Sequence, residues 1–395
     1  MNYLKNSNSN FVLGNSFLYS LYFIPPVCKA IFDLSSYSST IVTINLLLFS
    51  LCRLRAIPLN LNHVFFSITI FIALFISSLG TQYFSSYHIF SAFGMALFML
   101  NASDFSKILK STSEHVLKKN LRLFFIVATS TAIFGILFRD NIPIYSDFPV
   151  SVFPFTEPSH FAISICSLFL YFVYTSKSGI SISTIFVLLL FFVISIFTPS
   201  LILLIITLIA ALLGMNKLRW YFVMPALFVS SLGFLYIFGT FADAEYFSNR
   251  LDFISSSNLS LLIFQLGWID MLNILENTYF GLGFQNYSTR PLDPFSIYIY
   301  DIAGMEMNRS DGSFLMSKAG GEFGLLGILF YLYLVGSVIK RFFVEKKFNQ
   351  YAYFIGCVGI GFLIEFFIRG VGYFSFTQFL FFTVALYSIS SRLRA

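Results

Sequence analysis

Three short clusters of ionisable residues stand apart in a chain that is 57% hydrophobic and only 11% charged over 395 residues. The first is Thr156-Glu157-Pro158-Ser159-His160. Pro158 suits the first turn of a helix, where a missing N–H loses no bond. A helix start turns backbone N–H groups toward an anion or hydroxyl, so Glu157 and His160 flank a place where a proton could be moved. A capping acid beside an interfacial histidine is the structural alternative. The second is Gly320-Gly321-Glu322-Phe323-Gly324, where paired glycines allow close backbone approach and Glu322 sits at the edge of an apolar run. A carboxylate there could serve as a base or simply complement a helix dipole. The third runs from Glu365 to Arg369-Gly370-Val371-Gly372-Tyr373, with Glu365 and Arg369 spaced to share a helix face. Ionised groups near hydrocarbon cost about 2.5–3.5 kcal/mol each on insertion scales. That cost argues for function, against a Glu–Arg pair that only locks helices together.

A polar island over 241–318 holds most of the other charges, with Arg250, Arg290 and Arg309 set among acids. The guanidinium fork matches diphosphate or carboxylate oxygens and stays charged, although Arg309, close to Asp311, reads as a solvated ion pair. Apolar residues at helical spacing around Trp268 predict that 261–275 lies on the membrane surface. Gly281-Leu282-Gly283 then follows as a tight loop. There is no phosphate-loop, nucleophile-elbow or His-Glu-x-x-His signature. His63, His88, His115 and His160 are scattered, so no metal site is expected; Asp243 and Glu245 are the nearest to a divalent-cation pair. The four cysteines have no paired spacing. No cofactor is implied.

The elements that must hold these groups are membrane helices. A mean hydropathy of +0.82 and recurring apolar runs of about 17–25 residues, enough to cross about 30 Å of hydrocarbon, predict an all-α polytopic membrane protein. About twelve transmembrane spans are expected: 11–31, 37–52, 63–80, 87–102, 121–138, 159–175, 180–197, 199–215, 220–240, 319–339, 351–368 and 374–390. The organisation is thus helices over 1–240, one large late loop over 241–318, and helices over 319–395. Pro25-Pro26 threatens to break the first span, and Thr198-Pro199-Ser200 marks a turn. Basic residues such as Lys107, Lys110, Lys118, Lys119, Lys340, Arg341, Lys346 and Lys347 fall on one side of these spans. Only Asp104, Glu114 and Glu345 oppose them there, which makes that side cytoplasmic. Both termini are then cytoplasmic and the island periplasmic. The net charge of +6 reflects this asymmetry, not a nucleic-acid partner.

Glu157-Pro158-Ser159 at a helix start resembles the corresponding element of bacterial O-antigen polymerases of the Wzy type. So does Arg250 … Trp268 … Phe280-Gly281-Leu282-Gly283-Phe284. Gly321-Glu322-Phe323-Gly324-Leu325-Leu326-Gly327 is similar to the opening of the span after that family's large loop, and Arg369-Gly370-Val371-Gly372-Tyr373 to an Arg-Gly pattern near its end. The family is related to O-antigen ligases. The resemblance implies a metal-independent, inverting membrane glycosyltransferase of GT-C-like architecture in lipopolysaccharide biosynthesis. Its substrates would be undecaprenyl-diphosphate-linked oligosaccharides in the bacterial inner membrane. Membrane lipid, a chain-length regulator and a flippase would be its partners. On this reading Arg250, Arg290 and Arg369 bind the substrate diphosphate, and Glu157 or His160 is the base, with Glu322 behind them. Related ligases depend on a loop histidine, which the island lacks, and this favours the polymerase. A lipid-linked oligosaccharide flippase or a small-solute transporter is the other reading; either would need a polar cavity or charges buried mid-span.

Overall fold

The computed structural model describes residues 7–32, 34, 38–54, 61–79, 84–142, 145, 151–175, 182–215, 258–304, 306–344 and 349–390. Among these the chain is helical, without a β-strand. The N-terminal helices are α1 (Ser7–Phe32), α2 (Ser38–Leu54), α3 (Leu61–Leu79), α4 (Ser86–Ser111) and α5 (Glu114–Leu137). They are followed by α6 (Pro158–Tyr174), α7 (Ile182–Phe197) and α8 (Leu201–Met215). The later helices are α9 (Leu259–Asn277), α10 (Pro294–Ala303), α11 (Leu315–Val344), α12 (Gln350–Phe367) and α13 (Phe376–Ser390). Among the described residues α4, α5, α9, α11 and α12 are long and apolar enough to cross a membrane. Several of the other expected spans are shorter apolar helices, and the expected span 220–240 lies outside the described residues, as do Asp243, Glu245 and Arg250.

One expectation about the scaffold fails, and two late elements can be described. Pro25 and Pro26 lie inside α1 and do not end it; apolar helices tolerate proline where neighbours re-satisfy the freed backbone groups. The segment expected to lie flat on the membrane is α9, whose 19 residues suffice for a crossing. Within the late polar segment, α9, α10 and the first turn of α11 are helical.

The chain divides into two compact units, Leu121–Leu262 and the remainder, Met1–Asn120 with Ile263–Ala395. In the smaller unit α8 packs against α6 and α7. Phe169 stacks on Phe191 with ring centroids 4.1 Å apart, beside Phe125 and Phe161. Arg122 reaches the terminal carbonyl of Thr175 after α6, where a cation suits the negative helix end.

In the larger unit α4 is central, packing against α1, α2, α3 and α13, while α13 also meets α11 and α12. Phe98 sits edge-on to Phe374 and Phe379, and Phe17 edge-on to Phe379, the arrangement favoured by ring quadrupoles. A buried amide pair joins α2 to α4: Asn101 Nδ2 donates to Asn45 Oδ1 at 2.8 Å and to the Asn45 carbonyl at 3.0 Å.

The feature that positions the candidate site is a break in α11. Gly324 adopts φ 62° and ψ −148°, a region essentially confined to glycine. The break frees carbonyls of the preceding turn, and backbone groups in an apolar setting need partners. A segment from the late polar stretch supplies them. The N–H groups of Leu282 and Gly283 donate to the carbonyls of Gly321 and Glu322, both at 2.8 Å, and Leu325 N–H donates to the Tyr279 carbonyl at 3.2 Å. Both glycines are sterically required: a Cβ on Gly281 would stand 2.6 Å from the Glu322 carbonyl, and one on Gly324 would collide with the Tyr279 carbonyl oxygen.

Gly324→Ala and Gly281→Ala should each lower stability by about 1–3 kcal/mol from backbone strain alone, before any clash. Gly336→Ala, on the same helix with nothing within 4 Å of the added carbon, should be neutral or stabilising, since alanine is the better helix former by about 1 kcal/mol. Thermal unfolding in detergent checks both; equal midpoints for all three would refute the account of the break.

Candidate functional site

Upstream of the break, Lys318 and Glu322 lie on successive turns of α11. Lys318 is 3% exposed and Glu322 fully buried, with Nζ to Oε1 at 3.9 Å. Charges so placed are costly unless neighbours compensate. Lys318 Nζ donates to the Ser310 carbonyl at 2.7 Å, lies 3.7 Å from Asp311 Oδ1, and sits 5.3 Å above the Tyr373 ring. Around the Glu322 carboxylate lie the backbone of Gln285 and Tyr287 and the Tyr373 hydroxyl, none of them at normal hydrogen-bond geometry. Burial, and next the Glu322 charge, push the Tyr373 phenol up.

The segment after Gly283 is fastened on several sides. Phe284 N–H donates to Ser77 Oγ at 3.1 Å, and Asn286 bridges the Phe284 carbonyl and His88 Nε2. His88 Nδ1 accepts from Ser85 N–H in a capping box at the start of α4. Tyr287 packs against Gly321 and shares a 2.6 Å hydrogen bond with Ser317 Oγ, and burial pushes its phenol up. Ser317 and Ser313 are in turn tied to carbonyls of α9 at Gly267 and Ile263.

Of the predicted diphosphate ligands, Arg250 lies outside the described residues. Arg290 is 3% exposed and turned inward. Its Nε is 2.6 Å from Asp270 Oδ2, and NH1 donates to the Arg309 and Tyr287 carbonyls. Arg309 returns the contact, donating to the Arg290 carbonyl at 2.8 Å, and pairs with Glu306 at 3.3 Å. This is a lock between α9 and the loops around it. Arg369 is half-buried on the segment after α12, which ends at Phe367. The expected helical spacing to Glu365 therefore does not apply. Glu365 accepts from Ser375 Oγ at 2.9 Å, and the Ser375 hydroxyl caps α13.

Glu157 and His160 belong to the smaller unit, at the N-terminus of α6 with Pro158 in the first turn. The Glu157 side chain makes no capping bond. It faces His160, with Nε2 to Oε2 at 3.6 Å, and accepts from Ser159 Oγ at 3.4 Å. His160 is buried whereas the Glu157 side chain is 45% exposed. No group of three or more His, Cys, Asp or Glu that could hold a metal ion occurs among the described residues.

The larger unit also contains a cavity of about 580 Å³, walled by α3, α4, the 280–284 segment, α11, Tyr373 and Phe382. Tyr373 connects it to the buried charges, with its ring against Phe284 and Phe323 and beneath Lys318. Lys318, Asp311 and Tyr373 were not among the predicted site residues. A Lys four residues before a Glu, at the mouth of an apolar run, was the available signal for Lys318; no spacing rule links Asp311 or Tyr373 to it.

Removing one member of a buried ion pair costs about 3–5 kcal/mol. Asp270→Ala should therefore destabilise the protein by that amount, and Asp270→Leu with Arg290→Met should recover much of it. Detergent melting of the single and double variants checks this, and an unchanged midpoint for Asp270→Ala would refute the lock. No protein-family model, curated protein or solved structure matches this chain.

Proposed function

We propose that the chain is an O-antigen polymerase, transferring a growing glycan from undecaprenyl diphosphate to the next lipid-linked repeat unit in lipopolysaccharide biosynthesis. One observation carries this reading. The segments 280–284, 321–327 and 369–373, which bear the resemblance and are far apart in sequence, gather at the break in α11. Buried ionisable groups there adjoin an apolar cavity in an apolar helical protein, which suits a substrate that is anionic at one end and hydrocarbon at the other.

In the transfer, the acceptor hydroxyl oxygen bonds to the anomeric carbon as the bond from that carbon to the diphosphate oxygen breaks. The electron pair leaves with the diphosphate, and the hydroxyl proton passes to a base. Cations aimed at the departing diphosphate act most strongly where water is excluded. Arg369 and Lys318 take that role; Arg290, held by Asp270, positions the segment instead. Glu322, in the same unit, supplies the base, an effect of about 10²–10⁴ in rate. The enzyme would work without a metal, at the periplasmic face of the inner membrane, with both termini cytoplasmic and with a flippase and a chain-length regulator as partners.

Arg369→Ala and Glu322→Gln, at normal protein levels, should leave single repeat units on the lipopolysaccharide; wild-type chain lengths in both would refute the site. Single-unit capping that persists while chains shorten also separates a polymerase from a flippase, whose loss stops export. Purified protein given a synthetic undecaprenyl-diphosphate repeat unit should lengthen it in the presence of a chelator. A strict metal requirement would move attention to Asp243 and Glu245.

A further inference from the structure

We propose that Glu365 and Gln378 hold a monovalent metal cation, Na⁺ or K⁺, between α12 and α13. The site stands apart from the polymerase reading, because it uses no residue assigned to the transfer.

Glu365 lies near the end of α12 and Gln378 in the first turn of α13, and both are fully buried. A ring of contacts joins them. Ser375 Oγ donates to Glu365 Oε2 and accepts from Gln378 N–H, both at 2.9 Å. Gln378 Nε2 donates to the Tyr331 hydroxyl of α11 at 2.6 Å, and Tyr331 lies within reach of the Glu365 charge.

Two oxygens in this ring, Glu365 Oε1 and Gln378 Oε1, are buried without a hydrogen-bond partner. Among the described residues Glu365 also has no basic partner; its neighbours are Ser375 and the Val371 backbone. Glu322, by contrast, has Lys318 at 3.9 Å. A buried carboxylate lacking both a donor and a counter-charge is costly. Orphaned polar atoms inside a native protein mark a water, an ion or a functional role.

The two deficits together select the occupant. A water would donate to both oxygens but leave the charge. A proton on Glu365 would cancel the charge, yet it serves both oxygens only where they touch directly. Turning the Gln378 amide over would pair its oxygen with Tyr331 and do nothing for the charge. A divalent ion facing a single carboxylate would stay positively charged in an apolar setting. A monovalent metal ion meets both needs: it brings one positive charge and binds several oxygens at once. Hard cations take carboxylate, carbonyl and hydroxyl oxygens, and the ring offers Glu365, the Gln378 amide, Ser375 and Tyr331.

The test is thermal unfolding of the purified protein in detergent, with NaCl or KCl replacing choline chloride at constant ionic strength. A ligand that binds only the folded chain stabilises it with the logarithm of its concentration, so the midpoint should climb in NaCl or KCl and stay flat in choline. Glu365→Gln keeps the shape without the charge and should abolish the climb. Gln378→Leu should move it to about tenfold higher ion concentration, the equivalent of about 1.4 kcal/mol. Glu114→Gln alters an exposed carboxylate that accepts from Gln350 N–H; it should keep the full response and so reports general salt effects. Saturable uptake of radiolabelled Na⁺ or Rb⁺ by the wild-type protein gives a second measurement that needs no variant to fold. Absence of saturable uptake of either ion, or a salt response that survives in Glu365→Gln, overturns the proposal. So does the same stabilisation by acid in choline alone, lost in Glu365→Gln, which would make the occupant a proton. Chelators of divalent ions leave Na⁺ and K⁺ in place, so glycan extension in a chelator tests the polymerase separately from this site.

Discussion

The larger unit depends on one backbone interruption. A helix that could span a membrane stops at Gly324 and resumes, and the carbonyls left over at Gly321 and Glu322 are taken up by the N–H groups of Leu282 and Gly283. Hydrocarbon offers such groups no alternative partner, so break and inserted segment require each other. That exchange brings the 280–284 segment onto α11, sets one wall of the cavity, and fixes Glu322 beneath Tyr287 and Tyr373. Ser77, His88 and Asn286 tie the same segment to α3 and α4, so the site is held by side chains from both ends of the chain.

Two buried ionic arrangements flank this break, and their geometry assigns them different work. Arg290 meets Asp270 at 2.6 Å and spends another of its donors on backbone carbonyls, which is how a scaffold contact is built. Lys318 and Glu322 stand 3.9 Å apart, and both Glu322 oxygens lack a hydrogen-bond partner. A buried carboxylate with unfilled hydrogen-bonding capacity is costly to keep, and in the polymerase reading that cost is offset at the moment of transfer.

Much of the scaffold was legible from composition, because unbroken apolar runs of about 17–25 residues satisfy their own backbone in lipid as helices, whereas barrel strands would alternate. The helix start at Pro158 and the turn at Thr198-Pro199-Ser200 followed from local chemistry alone. The double proline in α1 misled, because an apolar helix can carry proline where the freed backbone groups find other partners, and spacing does not reveal such partners. The Glu365–Arg369 pairing misled for a related reason: it assumed a helix that in fact stops at Phe367. Arg290 had the right chemistry for an anion, yet Asp270, twenty residues earlier, claims it.

Sequence alone determined that this is a helical protein of apolar segments, with ionisable residues confined to a few short clusters, since hydropathy and helix-start chemistry act over neighbouring residues. The pairing of those clusters was settled by the folded chain. Which arginine faces a carboxylate, which glycine carries a positive φ, and which tyrosine covers a buried lysine all depend on contacts between segments tens to hundreds of residues apart, and such contacts leave no periodic trace in the sequence.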